Sequence, residues 1–153
     1  MINPKIYGGI TLEEYALSDK KGKYQDRINS GANGRNQMMW EFGLSSASFD
    51  NTIAIKEKID EIDSTFDLVL LKEKFDESII LLKDLLCWDY SDVTSLTLNA
   101  HDPKTKSKIS AIARQKLQHW MHADYQLYNH FKAKFDAKLG SFSHDRMQVY
   151  FLC

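Results

Sequence analysis

A long helical repeat constrains this sequence more than any other feature. Between residues 107 and 147, apolar side chains recur three and four positions apart, the spacing that places them on one face of an α-helix. These apolar positions are Ile109, Ile112, Leu117, Trp120, Met121, Leu127, Tyr128, Phe131, Phe135 and Leu139. The repeat bends near His122 to Asp124 and breaks at Gly140. It therefore predicts two consecutive helices within a helical region over 107–147.

Residues 66–98 carry a different pattern, which predicts a strand, a helix and a second strand. Residues 66–71 (FDLVLL) are a short apolar run, typical of a buried parallel strand. Asp76 suits the N-cap of a helix over about 76–87, and residues 93–98 (VTSLTL) predict the second strand. Such a unit pairs its strands in parallel through a right-handed crossover, so the expected fold class is α/β. The helix is expected to bury Phe75, Ile79, Leu82 and Leu86.

The remaining segments predict shorter helices. Residues 1–36 are rich in Gly, Asn, Ser and Lys and are expected to be mostly irregular. Within them, Thr11 and Glu14 have the spacing of a capping box at the start of a short helix. Gly43 suits the left-handed end of another short helix. Apolar residues at helical spacing among Lys and Glu predict an amphipathic surface helix over 50–64.

The composition limits the class of protein. The chain has 153 residues, 43% of them hydrophobic, which is enough for one domain with a real core. Its two cysteines are too few for a disulfide scaffold, and Cys87, between Leu86 and Trp88, is expected to be a buried packing residue. No run of about 18 apolar residues occurs, and the first ten residues lack the features of a secretory signal. We therefore expect neither a membrane span nor a targeting signal in this chain.

The net charge of -1 conceals an uneven distribution of charge. Residues 1–98 carry 11 basic and 17 acidic groups, whereas residues 99–153 carry 9 basic and 4 acidic groups. A basic half can face an anion, but its lysines are spread over helical turns, which favours solvated helix faces. No compact stripe of Lys and Arg with stacking aromatic residues occurs. A nucleic-acid partner is therefore not expected.

Several motifs of enzyme chemistry do not occur in the sequence. There is no glycine-rich phosphate loop, no dinucleotide fingerprint and no GxSxG elbow. His119 and His122 lie three residues apart on a predicted helix, but a metal site would need further ligands from elsewhere. The motifs therefore give no argument for phosphate binding, and they favour neither a hydrolase nucleophile nor a metal centre.

Three carboxylates remain as candidate functional groups: Glu73, Asp76 and Glu77. They follow the predicted strand over 66–71, and ligands of open α/β sheets gather at the carboxyl ends of the strands. Carboxylates there can bind sugar hydroxyls or orient a side chain that contacts a nucleotide. For Asp76, helix capping is the favoured alternative, whereas no capping geometry accounts for Glu73. Glu73 is therefore the first candidate on the substrate side of a site.

The segment that contains these carboxylates resembles the galactose-3-O-sulfotransferase family. The resemblance rests on Glu73 and on the run over residues 75–88, FDESIILLKDLLCW. It continues, in order along the chain, in Thr11 to Tyr15, Arg35, Asn36, Met39, Phe42 to Leu44, Leu98 to Ala100, Trp120, Asp124, Leu127 to Phe131 and Phe142 through Met147. A match spread over most of the chain is more specific than any single motif.

The resemblance implies an enzyme of the Golgi lumen with a nucleotide-kinase-like (P-loop-type) sulfotransferase fold and one N-terminal transmembrane anchor. Such an enzyme uses 3′-phosphoadenylyl sulfate as co-substrate and needs no metal. It transfers sulfuryl to the 3-hydroxyl of galactose in galactosylceramide or in related glycolipid and glycoprotein glycans. The partner implied is thus a galactose-terminated glycolipid or glycan. The family's catalytic and donor-binding residues lie upstream of the matched segment, so none is carried over onto this chain.

The match corresponds to the C-terminal part of a single sulfotransferase domain, occupied here by residues 1–153. We therefore expect an incomplete form that is inactive on its own. One departure concerns residues 130–136: where the family commonly shows His-Phe-Asn-x-Thr-Phe-Trp, this chain has HFKAKFD, without the glycosylation acceptor. The alternative interpretation is a non-catalytic, truncated paralogue that acts as a binding or interaction module.

Overall fold

The computed structural model describes residues 11–18, 34–93 and 109–142. The α-helices in chain order are α1 (Leu12–Leu17), α2 (Gln37–Glu41), α3 (Thr52–Thr65), α4 (Phe75–Leu86), α5 (Ala111–Trp120) and α6 (His122–Ser141). Short 3-10 helices lie at Ser46–Ser48, Lys72–Lys74 and Tyr90–Val93. No β-strand occurs within the three described ranges, and residues 94–98 of the second predicted strand lie outside them. The described part is thus helix-rich, and the strand–helix–strand unit and the nucleotide-kinase-like fold are not shown.

The described residues belong to two compact units. The first contains residues 11–18, 34–60 and 109–127, and the second contains residues 61–93 and 128–142. The largest fully buried apolar side chains are Phe49, Met39 and Ile55 in the first unit and Leu81 in the second. Among the helices of the described ranges, none combines the length and the apolar composition that crossing a bilayer requires.

In the first unit, α1 is connected to the start of α5. The capping box predicted at Thr11 is confirmed: its hydroxyl accepts the N–H of Glu14 at 3.2 Å, and the Glu14 carboxylate accepts the N–H of Thr11 at 2.7 Å. The neighbouring Glu13 accepts the backbone N–H of Ser110 at 2.8 Å and its hydroxyl at 2.6 Å. Ser110 is itself the N-cap of α5. One acidic residue of α1 therefore orients the residue at which α5 begins.

Two side chains of the first unit cap each other's helices. Asn36 Oδ1 accepts the N–H groups of Ala123 and Asp124 at the start of α6, each at 3.2 Å. The Asp124 carboxylate accepts the N–H of Met38 at 3.1 Å and that of Met39 at 2.9 Å, at the start of α2. The first N–H groups of a helix have no partner within the helix, so each side chain satisfies donors that would otherwise be unpaired. We call Asn36 and Asp124 the reciprocal caps.

Arg35 makes a second connection beside the reciprocal caps. Its Nε donates to the Trp120 carbonyl at 2.9 Å, at the C-terminal end of α5, and its terminal nitrogens pair with both carboxylate oxygens of Asp50. A cation near the carbonyls that end a helix is favourable, and the guanidinium fork matches a carboxylate. The predicted bend between two helices is confirmed here, because α5 ends at Trp120 and α6 begins at His122.

Replacing Asn36 separates the effect of its cap from the effect of its backbone. Asn36 has a φ of 51°, in the left-handed region that glycine tolerates and alanine does not. We expect Asn36→Gly to lower the free energy of unfolding by about 1 to 3 kcal/mol, because two N–H groups lose their acceptor. Asn36→Ala should lower it by roughly 1 kcal/mol more, because the backbone strain remains. Urea denaturation measures both variants, and equal stabilities would contradict this explanation.

In the second unit, the strand predicted over residues 66–71 is not shown. The segment pairs with no other strand among the described residues, and Phe66 is 48% exposed, whereas Leu71 is buried. At the end of the segment, the Ser78 hydroxyl on α4 accepts the N–H of Leu71 and donates to the carbonyl of Leu71, both at 3.0 Å. Since a side chain satisfies both backbone polar groups of Leu71, this residue needs no strand partner.

The helix predicted over about 76–87 is confirmed as α4, with two corrections. Asp76 is not the N-cap, because the helix begins one residue earlier and Lys74 occupies the cap position without a side-chain hydrogen bond. The buried face also differs, because Phe75 and Leu86 are 51% and 45% exposed. The Ser78 hydroxyl holds a different face inward, and the buried residues of α4 are Ser78, Ile80 and Leu81.

Cys87 ends α4 with a φ of 52°, and its thiol is exposed, so the expected burial of this residue is wrong. The N–H of the next residue, Trp88, donates to the Lys83 carbonyl at 3.0 Å. Such a bond closes a helix whose final residue is left-handed. Cys87 therefore lies past the buried face of α4, at the turn that ends the helix.

Leu81 tests the corrected packing of α4. Its side chain is 1% exposed and forms a core cluster with Leu71 and Phe135. We expect Leu81→Ala to lower the free energy of unfolding by about 2 to 5 kcal/mol, because the substitution leaves a cavity. Leu85→Ala, on the same helix at a position 43% exposed, is the matched control and should cost far less. Denaturant unfolding measures the free energy of unfolding of both variants. Similar losses of stability in the two would refute this assignment of the buried face.

Candidate functional site

Glu73 lies in the 3-10 helix Lys72–Lys74, directly before α4, and meets a tyrosine of α6. The Tyr128 hydroxyl donates to Glu73 Oε1 at 2.5 Å. Both residues belong to the second unit. Glu73 lies between Leu71 and Ser78, two residues joined by two hydrogen bonds of 3.0 Å.

Two lysines and a second carboxylate lie beside this pair. Lys74 Nζ donates to Asp136 Oδ1 at 2.8 Å, and Lys132 Nζ donates to Asp136 Oδ2 at 2.5 Å. Lys74 Nζ also lies 5.8 Å from the centre of the Phe135 ring, within cation–π range. We call Glu73, Lys74, Tyr128, Lys132 and Asp136 the carboxylate–lysine cluster. It places two ammonium groups and two carboxylates on the surface of one compact unit.

Hydrogen bonding sets the charge states in the carboxylate–lysine cluster. The Tyr128 hydroxyl lowers the pKa of the Glu73 carboxyl below its usual value, and nearby Lys132 and Lys74 add to this effect. The same hydrogen bond raises the pKa of Tyr128. Hydrogen bonds from Lys132 and Lys74 lower the pKa of Asp136. At neutral pH both carboxylates are therefore ionised, and Tyr128 retains its proton.

This arrangement suits binding a hydroxyl group better than removing its proton. An efficient general base has a pKa near the working pH, and the lowered pKa of Glu73 moves it away from that range. An ionised carboxylate is nevertheless a strong acceptor for hydroxyl donors. The ammonium groups of Lys74 and Lys132 can stabilise nearby negative charge. Glu73 is therefore a candidate for orienting a polyhydroxylated substrate.

The three carboxylates selected from the sequence have different surroundings. Glu73 joins the carboxylate–lysine cluster, whereas Asp76 and Glu77 lie in the first turn of α4, where a negative charge favours the helix N-terminus. Sequence reasoning misses Lys132 and Asp136 as members of the site. Together with Tyr128, they are spaced four residues apart and so share one face of α6. That polar stripe is visible in the sequence, but its contact with Glu73 is not.

The histidines form no metal site in the described part of the chain. No group of three or more His, Cys, Asp and Glu side chains there is arranged to hold an ion. His122 lies near a carboxylate instead, with Nε2 3.8 Å from Asp50 Oδ1. His119 lies on the last turn of α5.

Titration of Tyr128 tests the geometry of the cluster. Glu73 raises the pKa of Tyr128, so we expect Glu73→Gln to shift the titration of this tyrosine to lower pH, towards its ordinary value. The control is Asp76→Ala, in the first turn of α4 and outside the cluster, which should leave the Tyr128 titration unchanged. NMR of ring-labelled tyrosine follows each residue, and Tyr128→Phe assigns the signal. An unchanged titration in Glu73→Gln would show that the two side chains do not interact.

The sequence model of a family described as Galactose-3-O-sulfotransferase matches residues 5–150, nearly the whole chain. The chain belongs to the galactose-3-O-sulfotransferase family. This membership confirms the resemblance seen in the sequence. Of the residues that carry the resemblance, Arg35, Asn36, Trp120 and Asp124 meet around the reciprocal caps. Four of the residues on which the resemblance rests therefore lie at the contacts that organise the first unit of this chain.

Individual relatives agree with the family assignment. The chain is 36% identical to galactosylceramide sulfotransferase of Bos taurus and 34% identical to that of Homo sapiens, over 94% of this chain and 34% of each relative. It is 33% identical to galactose-3-O-sulfotransferase 2 of Mus musculus, over 89% of this chain and 34% of the relative. The chain thus spans about a third of the length of these relatives. No solved structure gives a significant match.

Proposed function

We propose that this protein acts in the transfer of sulfuryl from 3′-phosphoadenylyl sulfate to the 3-hydroxyl of galactose. The acceptor is galactosylceramide or a related galactose-terminated glycolipid or glycan, and the reaction takes place on the lumenal side of the Golgi membrane. The observation that carries this proposal is the 36% identity to galactosylceramide sulfotransferase over 94% of the chain. The carboxylate–lysine cluster supports it, because its groups can bind sugar hydroxyls.

In this reaction the 3-hydroxyl oxygen of galactose forms a bond to sulfur while the bond from sulfur to the donor's phosphate oxygen breaks. The hydroxyl proton passes to a base, and adenosine 3′,5′-bisphosphate leaves. This chain spans about a third of its relatives' length and carries no glycine-rich phosphate loop. We therefore propose that it forms part of the acceptor side of the enzyme, and that the donor and the base are held by the rest of a full-length form.

Within this proposal, Glu73 orients the acceptor. Its carboxylate is ionised and fixed by Tyr128, so it can accept a sugar hydroxyl in a constant direction. Asp76 and Glu77 lie in the first turn of α4, outside the cluster, and we assign the acceptor contact to Glu73 alone. Lys74 and Lys132 remain bound to Asp136, so two ammonium groups lie close to the hydroxyl-binding carboxylate.

The decisive experiment is a chimera in which this chain replaces the matching segment of bovine galactosylceramide sulfotransferase. We expect the chimera to transfer labelled sulfuryl from 3′-phosphoadenylyl sulfate to galactosylceramide, and the 153-residue chain alone to show no transfer. Glu73→Gln in the chimera should lower kcat/KM by about tenfold or more, because the acceptor is less well oriented. The Tm should stay unchanged.

Asp76→Ala is the matched control for the chimera, because it removes a nearby carboxylate that lies outside the cluster. It should leave kcat/KM within about twofold of the unaltered chimera. A folded chimera without transfer would contradict the proposed function and favour the non-catalytic, truncated paralogue. A chimera that is active but insensitive to Glu73→Gln would contradict only the role given to Glu73.

A further inference from the structure

The second unit contains a cavity of about 190 Å³ that is separate from the carboxylate–lysine cluster. It lies between α6 and the segment that follows α3. Its polar lining consists of two carboxylates, Asp63 and Asp67, and two ammonium groups, Lys134 and Lys138. Aromatic rings complete the lining, with Phe66 on the chain segment and Phe131 and Phe135 on α6. We call this cavity the α6 pocket.

An ion-pair network lies in the wall of the α6 pocket. Asp63 Oδ1 accepts a hydrogen bond from Lys134, and Asp63 Oδ2 lies 3.0 Å from His130 Nε2. These partners lower the pKa of the Asp63 carboxyl, with Lys134 contributing most. Asp63 is therefore ionised at neutral pH, and both of its oxygens already have partners within the chain.

The other two charged groups of the α6 pocket are available to bind a ligand. Within the described residues, neither Asp67 nor Lys138 forms an ion pair, although both line the cavity. A carboxylate only accepts hydrogen bonds and an ammonium only donates them, so the two groups together can serve a ligand that does both. The Phe66 ring is 48% exposed and provides an apolar face next to them.

Size and charge restrict the ligand. The cavity is smaller than the range of about 300 to 1,000 Å³ typical of pockets for drug-sized ligands, so it suits a single small ring rather than a nucleotide. Two carboxylates balance two ammonium groups, so the lining favours neither a strong anion nor a strong cation. A pyranose ring has the matching chemistry, because its hydroxyls both donate and accept while its C–H groups form an apolar face.

We infer that the α6 pocket binds one neutral monosaccharide unit of the acceptor glycan, with Phe66 against the ring and with Asp67 and Lys138 as its hydrogen-bonding partners. This inference rests on the proposed function for the identity of the glycan. In an acceptor glycan with more than one sugar, this unit is a different sugar from the galactose that Glu73 orients. The pocket is then a second contact for the acceptor, apart from the carboxylate–lysine cluster. The acceptor is thus recognised at two places in the second unit.

Ligand-observed NMR with methyl β-D-galactopyranoside and the 153-residue chain tests the pocket directly. We expect saturable, weak binding that becomes about tenfold weaker in Lys138→Gln and in Asp67→Asn, since each loses a hydrogen bond to a charged group. Phe66→Leu keeps an apolar side chain but removes the ring, and should also weaken binding. The matched controls, Lys116→Gln on α5 and Phe75→Leu on α4, are exposed positions outside the pocket and should bind as the unaltered chain does.

Other results of the binding experiment and of the chimera would contradict either the inference or the proposed function. No saturable binding to the folded chain, or binding that the three pocket variants leave unchanged, would overturn the inference. Binding of inorganic sulfate without binding of the galactoside would mark an anion site and would also overturn the inference. The chimera separates this test from that of the proposed function: sugar binding without transfer contradicts the proposed reaction alone. Transfer to a galactose-terminated glycan of more than one sugar, with the same KM in Lys138→Gln as in the unaltered chimera, contradicts the pocket alone.

Discussion

The reciprocal caps are the interaction on which the first unit depends. Asn36 adopts a left-handed backbone, and from there its Oδ1 accepts N–H groups at the start of α6. Asp124 returns the interaction at the start of α2. Burial raises the pKa of the Asp124 carboxyl, and the N–H groups of Met39 and Met38 oppose that shift. A buried carboxylate is tolerated where such donors surround it, so α2 and the first turn of α6 stabilise each other.

The cap that Asn36 provides is accompanied by two unfavourable contributions to stability. Its Nδ2 is buried and has no hydrogen-bond partner among the described residues. An unsatisfied buried donor is unfavourable, and so is a left-handed backbone at a residue with a side chain. Both costs are accepted at one residue because its Oδ1 satisfies two helix N–H groups at once. Arg35, the preceding residue, adds bonds to the Trp120 carbonyl and to Asp50.

In the second unit, one hydroxyl has consequences for the whole candidate site. The bonds between Ser78 and Leu71 satisfy both backbone polar groups of Leu71 and join the two ends of the segment that contains Glu73, and Ser78 lies on the buried face of α4. Helix α6 then presents two different faces. Tyr128, Lys132 and Asp136 form the charged face of the carboxylate–lysine cluster, whereas Lys134 and Lys138 line the α6 pocket. Residues two apart on a helix point in different directions, so the two faces can serve separate contacts.

The sequence alone determined the helices and the family. Helical spacing predicted α4, α5 and α6, the capping box at Thr11 follows from side-chain chemistry within four residues, and the ordered resemblance identified the galactose-3-O-sulfotransferases. The strand predicted over 66–71 is not shown, and a short apolar segment has the same composition in a strand and in a loop. Only the tertiary structure decided that Ser78 satisfies Leu71 and that Glu73 meets Tyr128. Those contacts join residues that are distant along the chain or on different elements, and local periodicity carries no information about such pairs.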